Sequence, residues 1–451
     1  MRVVIGGEDE VAFRLAEALM GAHEVVLVHG PDVPASRLER LDVETIQGPP
    51  SSPEVLGRAR VGKADAFVAC SVEDERNLVA CLTAKRLGVA RTVGFFHRRE
   101  WLLPVDRGEA SLAYAFGIDS VIWPAERLAK EIVRIVETPG ALDVELFEDG
   151  RVQLLQYAVE AGSDMAGRTV REAGVPEGVV LVAVRRGGKL SLPRGDTRLE
   201  PGDRVFGMGD RAGVRRLAAR LSGHRDSGGG DVLVVGGGSV GQIVAESLEA
   251  AGGFHLKLVE SERARCAELA SVLPRTLVLH GDGTDIDLLE AEGARDCRVL
   301  VAVTNRDEKN LLVSLLGKQI GVPRIVTRAD SPANERLFEK VGIDVVRSAR
   351  GSAIQAVIAD LVGGKSRLLA EVEGGDARVL STEVPADVPP TRLRDLRAPV
   401  FAIVAAIVRG DETIIPRGDD EIRGGDRVVV FCDRAGEPTA HAFFGRAKAA
   451  E

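Results

Sequence analysis

Apolar positions along this chain follow two different rhythms. From Val3 onward, short apolar runs (Val3 to Ile5, Val25 to Val28, Ala66 to Cys70, Thr92 to Phe95) alternate with stretches whose apolar residues recur at helical spacing. Apolar runs of strand length between helices predict strands buried on both faces, in a right-handed, mostly parallel sheet covered by helices. From about Gly140 the rhythm changes to short alternating strands broken by the turn signals Arg186-Gly-Gly188, Pro193-Arg-Gly195 and Pro201-Gly-Asp203. That pattern predicts a small β-rich α+β module ending near Leu221. The Ser/Gly-rich stretch from Ser222 to Gly230 reads as a linker.

The plan then recurs. Strands are expected at Val232 to Val235, Leu256 to Glu260, Leu277 to His280, Val299 to Thr304, Arg324 to Thr327 and Val345 to Val346, with a second β-rich module after Gly363-Gly-Lys365. Short identities confirm the repeat: Pro193-Arg-Gly-Asp196 returns as Pro416-Arg-Gly-Asp419, Gly202-Asp-Arg-Val205 as Gly425-Asp-Arg-Val428, and Asp210-Arg-Ala-Gly213 as Asp433-Arg-Ala-Gly436, all offset by 223. Asp74-Glu-Arg-Asn-Leu78 and Gly117-Ile-Asp119 return as Asp307-Glu-Lys-Asn-Leu311 and Gly342-Ile-Asp344. The chain is a tandem duplication. The expected fold is α/β: two tandem Rossmann-like, doubly wound parallel-sheet domains, each followed by a small β-rich α+β domain. The expected boundaries are 1–138, 139–221, 231–362 and 363–446, with the linker at 222–230.

The stretch Val232 to Glu260 reads as a dinucleotide-binding unit: apolar strand, Gly236-Gly-Gly238-Ser239-Val240-Gly241, amphipathic helix, second strand, terminal acid. Gly236 permits the tight turn, Gly238 has no side chain to hold a phosphate off the backbone, and Gly241 lets the helix pack on the sheet. The N–H groups of residues 238 to 240 then face an anion with the helix dipole behind them. Glu260, 24 residues beyond Gly236, is placed to accept from both ribose hydroxyls and to repel a 2′-phosphate, which favours NAD(H) over NADP(H). ATP, ADP and AMP carry the same ribose and phosphates and stay open as ligands.

Other candidates fall at the carboxyl edge of the same sheet. Gly281-Asp282-Gly-Thr284 follows the third strand, where Asp282 and Thr284 either face the ligand or form an N-cap turn. Thr304 and Asn305 sit at the switch point, Asp307 is placed to cap the next helix, Arg328 is the cation for a terminal phosphate or pairs with a carboxylate, and Arg263 can lie along the adenine. The first half has lost these features. Gly7, Asp9 and Ala12 stand where Gly236, Gly238 and Gly241 do; His29 replaces the acid, Gly48-Pro-Pro50 the Gly-Asp-Gly loop and Phe95 the arginine. Its site is expected to be empty, or to take something other than a dinucleotide.

Bulk composition narrows the classes. A net charge of −9 without a Lys/Arg-rich block argues against nucleic acid as a partner. Cys70, Cys81, Cys266, Cys297 and Cys432 form no metal or disulfide spacing and read as buried free thiols. The chain opens on a strand without a signal-peptide pattern, and apolar runs such as Pro399 to Val408 reach half the ~20 residues of a spanning helix. A cytoplasmic location is expected.

The doubled arrangement resembles the cytoplasmic regulatory subunits of Trk-type potassium uptake systems, the TrkA family, with two potassium-conductance-regulating units per chain. The residues that carry the resemblance are Gly236 to Gly241, Gly281 to Thr284, Ala302 to Asn310, Ala329 to Glu335, Gly342 to Val346 and the Pro-Arg-Gly-Asp and Gly-Asp-Arg-Val hairpins of both small lobes. It implies a homo-oligomeric ring, four chains by resemblance, peripheral at the inner face of the membrane beneath a potassium-translocating subunit and responsive to NAD(H) or ATP/ADP. The degenerate first lobe departs from the commoner pattern and implies one-site regulation. The alternative, an NAD-dependent oxidoreductase, needs a general acid/base near the nicotinamide. The small lobes offer little for it, so no enzyme is expected. A third reading is a structural oligomer that keeps its nucleotide for stability.

Overall fold

The computed structural model describes residues 1–21, 23–102, 112–138, 140–221, 230–361, 366–372, 376–396, 399, 401–410 and 412–444. Of the predicted linker, residues 222–229 lie outside the described residues, as do Gly363 to Lys365 before the second β-rich module; Gly230 opens a strand.

Each half begins with a six-stranded parallel sheet. The first runs in the order Glu44–Gln47, Glu24–His29, Arg2–Gly6, Ala66–Ala69, Arg91–Phe95, Ser120–Ile122; the second in the order Thr276–His280, Phe254–Glu260, Gly230–Val235, Val299–Ala302, Ile325–Arg328, Val345–Arg347. Val232 to Val234 and Val299 to Ala302 are fully buried, which is why these runs lack alternation. The strand order reverses between Gly230–Val235 and Val299–Ala302, where a crevice opens at the carboxyl ends.

The predicted β-rich modules are antiparallel five-stranded sheets, one spanning Ala141–Phe147 to Arg204–Gly209 and the other Ser366–Val372 to Arg427–Asp433. Their inner faces share a core: Phe147, Leu154, Phe206 and Met208 cluster with Val379, Ala405, Val429 and Phe431.

The repeated tetrapeptides build matching turns. Asp203 is buried and accepts from Arg186 Nε and Nη2, both at 2.7 Å, and from the Glu200 N–H at 2.8 Å; Asp426 does the same with Arg409 at 2.8 and 2.7 Å and the Arg423 N–H at 2.8 Å. Asp210 and Asp433 each accept the N–H of the glycine three residues on, at 2.7 Å. In the parallel-sheet lobes, Asp119 and Asp344 each accept a backbone N–H, of Thr92 and Ile325, at 2.8 Å.

The chain forms two compact units, one of Met1–Ala129 with Arg328–Glu335 and Arg347–Leu361, the other of Lys130–Thr327, Arg336–Val346 and Val362–Glu451. In the first unit, the second-half helix Ala349–Leu361 is bound by Arg91, which donates to the Asp360 carbonyl at 2.8 Å and pairs with its carboxylate at 2.5 Å. In the second unit, Arg324 Nη1 donates to the carbonyls of Ile135 and Thr138 at 3.2 Å, at the end of the first-half helix Pro124–Glu137. The halves thus exchange terminal helices.

Candidate nucleotide site in the second half

The turn leaving the strand Gly230–Val235 contains four glycines; the backbone requires two of them, Gly236 and Gly241, and side chains crowd a third, Gly237. Gly236 has φ +108°, and an added Cβ would lie 2.8 Å from the Thr304 nitrogen. A Cβ on Gly237 would meet Leu269 and Glu260, and one on Gly241 would run into the Gly236 carbonyl. Gly238 differs: it is exposed, an added Cβ meets nothing within 4 Å, and its φ of −66° suits any residue. No packing demand explains this glycine. A side chain here would stand over the N-terminus of the helix Ser239–Ala251, whose N-cap makes no side-chain hydrogen bond. Ser239 is exposed in its first turn, Val240 is buried beneath it, and first-turn N–H groups have no intrahelical acceptor.

Glu260 ends the neighbouring strand with its carboxylate fixed to the turn. Its Oε2 accepts the Gly237 N–H at 2.8 Å; its Oε1 accepts the Glu262 N–H at 2.8 Å and the Ser261 hydroxyl at 3.2 Å. Burial pushes this carboxyl up, but the N–H groups of Glu262 and Gly237 outweigh it and hold it below the usual range. Arg263, exposed, begins the helix Arg263–Val272.

Around the crevice, a Cβ on Gly281 would meet the tip of the Leu288 side chain, and Asp282 accepts the Thr284 N–H at 3.0 Å and hydroxyl at 2.9 Å. These two bonds hold the Asp282 carboxyl below its ordinary value, with Lys309 Nζ 3.2 Å away. The cap of the following helix falls instead to Asp285, which accepts the Asp287 N–H at 3.0 Å. Thr304 turns inward, its N–H and hydroxyl donating to Asn310 Oδ1 at 2.8 and 2.7 Å, while Asn305 is exposed. Asp307, expected as a cap, is the first helical residue; the N-cap is Arg306, without a side-chain cap bond. Arg328 ends its strand with Nε donating to Asp330 at 3.1 Å; it groups with the first compact unit, the glycine turn with the second.

Three residues here were not singled out from the sequence: Asn310, Lys309 and Arg265. Asn310 and its repeat Asn77 do one job. Asn310 is fully buried and bonds both the N–H and the carbonyl of Thr304; Asn77 does the same for Ser71, at 2.8 and 2.7 Å. The repeated Asp-Glu-x-Asn-Leu motif was the available signal.

The first-half counterpart is closed by its own side chains. Asp9, in the place of Gly238, caps the helix Glu10–Leu19, its Oδ1 accepting from Val11 and Ala12 at 3.1 and 3.2 Å. Burial pushes the Asp9 carboxyl above its ordinary value despite those bonds and the charge of Arg350. Glu8 pairs with Arg76 at 3.3 Å and lies against Gly30. The cleft beside Gly7, Pro50 and Asn77 encloses about 10 Å³, room for roughly one water. His29, in the ribose acid's place, is buried with Nδ1 2.8 Å from the Gly30 carbonyl oxygen.

Among the described residues no cluster of metal-ligating side chains occurs, and no helix is long and apolar enough to cross a membrane. All five cysteines are free, and four are buried.

Family models match in both halves: the TrkA-N domain over residues 3–124 and 232–349, and the TrkA-C domain over 154–222 and 390–445. The chain is 33% identical over 440 residues to the Trk system potassium uptake protein TrkA homolog 1 of Methanosarcina mazei, covering 96% of this chain and 97% of that one. It is 35% identical over 436 residues to the TrkA homolog of Archaeoglobus fulgidus, with the same coverages. Among solved structures, the RCK domain of GsuK matches with TM-score 0.60 at 22% identity, covering 99% of this chain and 95% of that one. The GsuK channel bound to NAD matches with TM-score 0.60 at 21% identity, covering 99% and 79%.

Proposed function

The chain belongs to the TrkA family, and from that premise we propose that it is a cytoplasmic regulatory subunit that controls potassium uptake through nucleotide binding in its second half. The ligand is NAD(H), or alternatively ATP or ADP, and the sensing lobe spans about residues 231–362. A fold neighbour named for its NAD complex supports the first choice.

One observation carries this reading. Gly238 is a glycine with no reason in the packing, set over an uncapped helix N-terminus, while Asp9 in the same place of the first half caps its own helix. Phosphate is the group such a gap suits. Gly236, Ser239, Val240 and Gly241 shape the cradle, Glu260 takes the ribose, and Arg263, Gly281, Asp282, Thr284, Thr304 and Asn305 supply the surrounding candidates.

The partner is a membrane-embedded, Trk-type potassium-translocating subunit, and the chain works as a homo-oligomer, a ring of four, peripheral at the inner membrane face. Nucleotide controls transport by binding one arrangement of the lobes more tightly than another; equal affinity for both would shift nothing. The test is potassium uptake into vesicles carrying the Trk-type subunit with this chain added. NADH or ADP should change the rate with the native chain and not with Gly238→Asp, and an unchanged rate with the native chain at saturating nucleotide would refute the regulatory reading.

A further inference from the structure

We propose that Arg265, which does not stand among the nucleotide-facing candidates, is the positioning residue that aims the phosphate-binding amide of Gly238; the inference rests on the nucleotide reading above. Arg265 Nε donates to the Gly237 carbonyl oxygen at 2.9 Å. That oxygen and the Gly238 N–H belong to one planar peptide unit and point in opposite directions. Holding the oxygen back toward the helix Arg263–Val272 therefore sends the Gly238 N–H outward, over the helix N-terminus where the phosphates bind.

The grip matters because this peptide has glycine on both sides. Glycine populates both halves of φ space with little steric penalty, so the unit can rotate and present its carbonyl oxygen to the crevice. An oxygen there repels a phosphate as strongly as an N–H attracts it. The preceding peptide is fixed separately, through the Gly237 N–H on Glu260 Oε2 at 2.8 Å. Two consecutive peptides of the turn are thus locked by two side chains of opposite charge, one by its N–H and the next by its oxygen.

Arg265 is itself immobilised. Nη2 donates to Gln242 Oε1 at 2.6 Å and Nη1 to Glu268 Oε2 at 2.9 Å, while Gln242 Nε2 donates to Glu246 at 2.7 Å. A cationic donor on the carbonyl also polarises the peptide and strengthens its N–H as a donor. The first half supplies a contrast. Its arginine near the corresponding turn, Arg37, stands over the ring of Phe13, the counterpart of Gln242, at 4.2 Å and pairs with Glu10. There Asp9 has already taken first-turn N–H groups of the helix.

The test uses the full chain and its Arg265→Met and Arg265→Lys variants, titrated calorimetrically with ADP and with adenosine, alongside thermal unfolding without ligand. Methionine keeps the stem and removes every donor. Arg265→Met should bind ADP about tenfold more weakly, the scale of one charged hydrogen bond, and bind adenosine unchanged, because adenosine has no phosphate. Arg265→Lys, which keeps a cationic donor, should recover part of the loss. Equal ADP affinity in native chain and Arg265→Met overturns the inference, as does an equal loss for ADP and adenosine with a lowered unfolding midpoint, which marks a merely structural role. A native chain that binds neither compound overturns the inference, and one that also binds none of NADH, NAD and ATP overturns the nucleotide reading itself.

Discussion

Asp9 and Gly238 occupy the same place in the two halves, one residue before a helix that follows the first strand of a parallel sheet, and they treat that helix in opposite ways. Asp9 Oδ1 accepts the N–H groups of Val11 and Ala12 at 3.1 and 3.2 Å, while Gly238 makes no side-chain cap at all. An N-cap aspartate normally stabilises a helix by about 1 kcal/mol. The second half forgoes that stabilisation where an anion can supply it in trans. On the proposed reading, the duplicated chain divides the roles between a lobe that caps its own helix and one that leaves the helix N-terminus to a ligand.

The small lobes should be acid-sensitive through two matched bridges. Burial raises the carboxyls of Asp203 and Asp426, but the hydrogen bonds from Arg186 and Arg409, the N–H groups of Glu200 and Arg423 and the arginine charges together outweigh it, so both folded values lie below the ordinary one. A depressed carboxyl adds stability that is present above the unfolded value, about 4, and is lost as pH falls through the folded value. Thermal midpoints recorded from pH 7 to pH 3 should therefore drop for the native chain. Arg186→Met and Arg409→Met should each lose roughly 2 kcal/mol at pH 7 and show a shallower acid limb. Unchanged midpoints at neutral pH would mean that the bridges add nothing.

Asn310 and Asn77 should be among the more costly polar positions to remove. Each is buried, bonding the N–H and the carbonyl of one loop residue at the switch point. Replacement by alanine leaves a buried N–H without its acceptor, a loss of roughly 2 kcal/mol in urea unfolding for either residue. Only Asn310→Ala should also weaken nucleotide binding, since Thr304 is the residue that it orients.

Glu260→Gln separates charge from shape. Its carboxylate is held below the usual range and so ionised at neutral pH, and on the proposed reading it would meet a 2′-phosphate with a like charge. The amide keeps an acceptor for the Gly237 N–H. The preference for NADH over NADPH should shrink by about tenfold, the scale of one removed charge–charge contact near a surface. Competition titration of the two cofactors reads the ratio directly, and an unaltered ratio places the ribose elsewhere.

The fold was legible because buried parallel strands and glycine turns leave marks in one dimension. Val232 to Val235 lacks alternation because both of its faces are covered, and Asp203 and Asp426 recur because each closes the same turn. The exchange of helices left no such mark: Arg91 and Arg324 look like surface arginines until their acceptors at Asp360 and Ile135 appear in three dimensions. The same holds within the site. Gly236 and Gly238 read alike in the sequence, and only the space around each separates a glycine that packing demands from one that it does not. Arg265 carried no motif, because its role depends on the direction of a carbonyl.

On the proposed reading one nucleotide binds per chain, in the second half, over Gly238. The decisive measurement is calorimetric titration of the purified chain with NADH, NAD, ATP and ADP, in parallel with Gly238→Asp. One site per chain is expected for at least one of these ligands, and its loss in the variant, whose carboxylate should cap the helix as Asp9 does and leave the unfolding midpoint undiminished. Two sites per chain, or binding that survives Gly238→Asp, would contradict it.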